Sequence, residues 1–158
     1  MQLRHHRLTS PAPGTTRELV SLHYGTPGAG PKALIQASLH ADEVPPMLVA
    51  HHLRHLLSRL EAEGRLAGEV VLVPVANPLG LSQQLLRQPI GRFDLSSGQN
   101  FNRHYSDLAP RVAELLQQTL GPDGRATLAT ARAAQRQACN ELPRADELAS
   151  LRRTLMEL

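Results

Sequence analysis

The sequence predicts a single three-layer α/β domain built on a mixed or largely parallel sheet. Two short apolar runs, residues 32–39 (KALIQASL) and 69–75 (EVVLVPV), flank a stretch of helical period that starts at Val44. Strand, helix and strand in that order form a βαβ unit, whose helix crosses one face of a parallel pair. The chain has 158 residues, enough for one domain with a real core and too few for two. With 41% apolar and 20% charged residues, its composition is that of a folded, soluble chain.

Each element follows from local signals. Residues 1–16 carry Pro11, Pro13 and Gly14 and read as an irregular lead-in. Residues 18–24 alternate loosely, as a strand does, and residues 25–31 (GTPGAGP) form a turn. That turn's glycines precede a strand instead of following one, which is the wrong order for a dinucleotide loop. From Val44 a helix is marked by Val49, Leu53, Leu56, Leu57 and Leu60, with Pro45 and Pro46 in its first turn and Gly64 at its end. Residues 77–89 read as a loop with one helical turn around 81–86, and 88–102 as a polar loop without period. Three helices follow: 107–120, capped by Ser106 or Asp107, then 127–137, and 143–158. Residues 121–124 break the first from the second.

The composition excludes several functions. Seventeen Lys and Arg oppose fourteen Asp and Glu for a net charge of +3, and Lys32 is the single lysine. The signs are interspersed, so no phosphate-tracking patch forms. With no Trp, two Phe and two Tyr, the chain has no aromatic platform for stacking bases, and we expect no nucleic-acid partner. No apolar run approaches a membrane span. The N-terminus has charge but no apolar segment of the kind a secretory signal carries. One cysteine, Cys139, rules out an internal disulfide, and a reducing cytoplasm is the expected location.

Two clusters can carry chemistry. His40-Ala41-Asp42-Glu43 sits at the carboxyl end of the first core strand, where open α/β sheets place their sites. An imidazole and a carboxylate three residues apart can meet on one zinc ion. The same residues also suit a plain helix start, with Asp42 as cap and Glu43 favoured by the helix dipole. The second cluster is Arg92-Phe93-Asp94 followed by Gln99-Asn100-Phe101-Asn102-Arg103-His104-Tyr105, in the loop beyond the next strand. An arginine fork binds a carboxylate bidentately, although two arginines in a loop are also ordinary solvated side chains. Phe101 is the expected buried anchor of this loop. Other candidates are weaker: His51 and His55 stand at i, i+4 without an intervening HExxH glutamate, Ser38 lacks a GxSxG context, and Cys139 has no histidine partner. His5 and His6 read as part of a flexible tail.

In combination, HxxE after a buried strand, Ala76-Asn77-Pro78 after the next, Arg92, and then Asn102-Arg103 resemble the zinc carboxypeptidase superfamily, most nearly its succinylglutamate desuccinylase/aspartoacylase branch. The resemblance spans residues 32–105. It implies a zinc-dependent hydrolase that cleaves an amide beside a carboxylate, in N-acyl amino acids or peptide-like substrates. His40 and Glu43 would be zinc ligands. Arg92, Asn102 and Arg103 would bind the substrate, with Arg92 also stabilising the oxyanion as a catalytic residue. The family pattern adds a histidine ligand on a later strand, in a DLH-like context, and a general-base glutamate. No histidine follows His104, so the expectation is an incomplete zinc-carboxypeptidase-like fold, the N-terminal part of the domain, inactive by itself and prone to self-association. His104 is the candidate replacement ligand. The rival reading is a non-catalytic carboxylate-binding module or degenerate relative.

Overall fold

The computed structural model describes residues 1–120 and 128–158. Its main sheet has four strands in the order β1-β2-β4-β3. β1 (Gln2–Leu8) runs antiparallel to β2 (Arg17–Gly25), which runs antiparallel to β4 (Glu69–Val73). β4 in turn pairs in parallel with β3 (Lys32–Gln36), Leu34 standing opposite Val71. The sheet is therefore mixed, and β3, α1 (Pro45–Ala62) and β4 form the expected βαβ unit.

Strand alternation sends one set of side chains to each face. Leu22, Tyr24 and Leu72 pack with Ala50 and Leu57 of α1 on one side. Leu8, Leu19 and Val73 pack with Leu148, Leu151 and Leu155 of α5 (Glu147–Glu157) on the other. The three layers are thus α1, sheet and α5. Asp146 caps α5 by accepting from the Ala149 amide at 2.7 Å. A smaller cluster joins α3 (Ala109–Thr119) to α4 (Leu128–Asn140) through Leu115, Ala134 and Ala138.

Several expectations change. Residues 1–16 are not an irregular lead-in, because β1 occupies Gln2–Leu8 as a regular edge strand. Its side chains are mostly solvated, with Leu8 alone fully buried, so no apolar alternation marks it. Nor do His5 and His6 lie in a tail: His5 Nδ1 meets Glu18 Oε2 at 2.8 Å, and His6 Nε2 meets the Ser21 hydroxyl at 2.7 Å. β3, expected as a buried strand, is exposed at all five residues because it stands at the free edge of the sheet. The helical turn after β4 is α2 (Pro78–Leu81), earlier than expected. It is followed by a small hairpin of β5 (Gln84–Leu85) and β6 (Gln88–Pro89). α3 begins after Leu108 without a side-chain cap, although Asp107 Oδ1 accepts from the Ala109 amide at 2.9 Å. The expected break at 121–124, and Thr127 at the start of the Ala-rich helix, lie outside the described residues. No helix among the described residues is long and apolar enough to cross a membrane.

Candidate metal and carboxylate site

Three connections meet at the carboxyl end of β3 and β4. The parallel pairing extends beyond the strands, with Ala37 donating to the Val73 carbonyl at 3.0 Å and Ala76 to the Ala37 carbonyl at 2.8 Å. The chain then turns sharply at Ser38, whose φ is 55°. A non-glycine residue there costs energy, which the surroundings must repay. The Ser38 hydroxyl donates to the Glu43 carbonyl at 2.8 Å and closes the turn that carries His40.

The second connection braces the first. Asn77 is fully buried; its Nδ2 donates to the Leu39 carbonyl at 2.9 Å, and its Oδ1 accepts the Gly80 amide at 2.8 Å. One side chain thus caps α2 and holds the residue before His40. The third connection presses on the same turn. Ala41 donates to the Gly91 carbonyl at 2.9 Å, and a Cβ added to Gly91 would lie 2.1 Å from the Asp42 nitrogen. Only glycine permits that approach.

His40 and Glu43 converge. Nδ1 of His40 lies 3.4 Å from Oε1 of Glu43, and the His40 side chain is 12% exposed. Its other nitrogen, Nε2, is 3.0 Å from Oδ1 of Asn100. The same Oδ1 accepts the Asn102 amide at 2.8 Å, which identifies it as an oxygen, so Nε2 must be the donor. A neutral His40 therefore carries its proton on Nε2 and its lone pair on Nδ1, facing Glu43.

Arg92 completes the cluster with a contact of 2.5 Å from its guanidinium to Glu43 Oε1. Its backbone is tied to the following loop, since Phe101 donates to the Arg92 carbonyl at 3.1 Å and Phe93 bridges to Asn100. Phe101 is fully buried between Leu79 and the α5 leucines. Asp94 closes the tip of this hairpin. Burial opposes its charge, but the hydroxyls and amides of Ser96 and Ser97 hold its carboxyl below the ordinary value. Arg152 of α5 steadies the loop from behind, bonding Gln99 Oε1 at 3.1 Å and the Asn100 carbonyl at 3.3 Å.

The sequence-predicted residues are therefore only partly assembled. His40, Glu43 and Arg92 touch. Asn102 and Arg103 share their loop, but among the described residues no hydrogen bond or ion pair joins their side chains to those three. The Arg103 guanidinium turns back to the Asn102 carbonyl at 2.6 Å. Asn102 lines a cavity of about 300 Å³ with Leu34, Gln36 and Met156. Asn100 lies in the second cluster but was given no role there; Gly91, Ser38 and Asn77 are supports that only packing reveals.

Two ligands around a tetrahedral zinc, with bonds of 2.0–2.2 Å, stand about 3.4 Å apart, so the nitrogen and oxygen of His40 and Glu43 fit such an ion. Among the described residues no group of three or more His, Cys, Asp or Glu can hold a metal, and His104 does not join the pair.

The succinylglutamate desuccinylase/aspartoacylase catalytic-domain model matches residues 29–146. A solved structure assigned to that family, from Shewanella amazonensis, is 31% identical, with a TM-score of 0.75 over 99% of this chain and 44% of its own. A second, from Shewanella frigidimarina and 24% identical, has the same fold at a TM-score of 0.74, over 98% of this chain and 42% of its own. No curated protein matches. The chain thus spans less than half the length of the solved structures it matches. From the family match across the site-bearing segment and the fold match along the whole chain, this chain belongs to the succinylglutamate desuccinylase/aspartoacylase family.

Proposed function

We propose that the chain carries the metal-binding and carboxylate-binding half of a zinc-dependent amidohydrolase. The substrates would be N-acyl amino acids or peptide-like amides bearing a carboxylate. The observation that carries this reading is the 3.4 Å approach of His40 Nδ1 to Glu43 Oε1, while Nε2 is taken up by Asn100 Oδ1. Zinc, when bound, supplies a water of pKa about 7 and polarises a scissile carbonyl.

The protein groups have separate tasks. Asn100 holds His40 in the ligating tautomer. Arg92, at Glu43, puts fixed positive charge where an oxyanion develops and so serves as the catalytic arginine. Asn102 and Arg103 hold the substrate carboxylate, which requires the Arg103 fork to swing from the Asn102 carbonyl. Buried Phe101 keeps their loop ordered before substrate arrives. The free edge of β3 supports self-association, and the single buried cysteine supports a cytoplasmic setting.

Among the described residues two protein donors stand in the cluster, one fewer than a catalytic zinc keeps. That observation favours a second reading, a non-catalytic carboxylate-binding module. Zinc titration and binding of N-succinylglutamate and N-acetylaspartate test both. We expect weak zinc binding and no turnover by these 158 residues. Charge-assisted hydrogen bonds contribute about 1.5–3 kcal/mol, so Arg103→Ala should weaken carboxylate binding by roughly tenfold or more, with zinc affinity unchanged. Arg103→Lys should restore it only in part, since a point charge lacks the fork. Wild-type affinity in Arg103→Ala would remove the clamp. Chelator-sensitive turnover by this chain would show that a further ligand is present.

A further inference from the structure

His51, His52 and His55 are all exposed on the outer face of α1, which the proposed hydrolase site does not use. The rings of His51 and His55 lie with centroids 4.8 Å apart and planes at 76°, while His51 and His52 are 5.6 Å apart. Among the described residues neither His51 nor His55 has a hydrogen bond or an ion pair. Their nitrogens are thus uncommitted, unlike those of His5, His6, His23 and His40.

We propose that His51 and His55 form a second divalent-metal site, a two-imidazole chelate for a borderline transition ion such as Zn²⁺, Ni²⁺ or Cu²⁺. Residues four apart on a helix share one face, and two histidines so spaced can ligate one ion from adjacent turns. Exposed side chains change rotamer within nanoseconds, so the rings can turn their nitrogens to a common point at little cost. An all-nitrogen donor pair selects these ions over Mg²⁺ and Ca²⁺, which prefer oxygen. Water fills the remaining positions. The helix also makes this site separate from the first. His51 lies about 9 Å along the axis from Pro45, where α1 begins, so an ion at His51 and His55 cannot also reach Glu43.

The ion staples one turn of α1. Because the unfolded chain does not hold the two rings at this spacing, binding stabilises the fold by mass action. Among the described residues His52 has a ring contact with His51 and none with His55, and adjacent residues do not face one another, so His52 is not part of the chelate.

The test is titration of the 158-residue chain with nickel chloride, read by calorimetry, by thermal unfolding and by paramagnetic broadening of histidine resonances. We expect broadening at His51 and His55 and a rise in Tm with nickel. His51→Gln and His55→Gln, each removing one of two donors, should weaken this binding by roughly tenfold or more and abolish the Tm rise. His52→Gln should bind as wild type does. Wild-type nickel affinity in both His51→Gln and His55→Gln, or broadening confined to His40, would overturn the proposal. Both substituted side chains are solvated, so loss of fold does not confuse the result.

Discussion

Removing the Asn100 side chain tests how His40 is held. Its Oδ1 accepts from His40 Nε2 at 3.0 Å and from the Asn102 amide at 2.8 Å. Asn100→Ala removes both bonds at once. At about 0.5–1.5 kcal/mol for each neutral hydrogen bond, the loss is about 1–3 kcal/mol. Asn102 is exposed and water can replace its partner, which places the expected value in the lower half of that range. Chemical denaturation measures this directly. The decisive readout is the His40 tautomer, taken from nitrogen chemical shifts of the imidazole. Wild type should show protonated Nε2 and a bare Nδ1, and Asn100→Ala a mixture of tautomers. Asn100→Asp keeps an acceptor in place and should keep the wild-type tautomer. A wild-type His40 protonated on Nδ1, or an Asn100→Ala variant with unchanged tautomer and stability, would rule out this hydrogen-bond arrangement.

Three further outcomes follow from the same geometry. Gly91→Ala places a Cβ 2.1 Å from the Asp42 nitrogen and 2.5 Å from the Ala41 carbonyl carbon. Backbone must move, so we expect lower Tm together with shifted resonances for His40 and Glu43; an unperturbed turn would contradict the close packing. The depressed Asp94 carboxyl contributes stability that is fully present above its unfolded value near 3.9 and lost as pH falls through the lower folded value. Asp94→Asn should flatten that acid-side loss, and an unchanged pH–stability curve would count against the hairpin-tip account. Ile35→Lys puts a charge on the open β3 edge. Wild type should associate with rising concentration in size-exclusion runs while the variant stays monomeric, and a wild type monomeric at every concentration would dismiss self-association.

The βαβ unit was legible because two short apolar runs and an apolar stripe of helical period, Val49 to Leu60, leave local marks. β1 was not, because an edge strand with solvated Arg4, His5 and His6 buries too little to alternate. β3 shows the reverse error: KALIQ has the composition of a covered strand, yet position at the sheet edge decides exposure, and pairing order is not local information. At the candidate site, spacing singles out His40 and Glu43 and the motif order singles out Arg92, and the structure brings the three side chains together. Their supports were hidden for a different reason. The role of Gly91 depends on a backbone approach from fifty residues away, and that of Asn100 on which nitrogen of His40 it faces. Asn102 and Arg103 share the loop that carries Asn100, but their side-chain directions are set by rotamers that no motif specifies.

The proposed function requires His40 and Glu43 to share one zinc ion. X-ray absorption on the zinc-loaded His55→Gln chain, where the α1 pair no longer contributes, reads this coordination. We expect one imidazole nitrogen and one carboxylate oxygen at about 2.0–2.2 Å with water completing the shell, and loss of that signal in both His40→Gln and Glu43→Gln. Zinc bound equally well after either substitution, or no zinc bound at all, would contradict it.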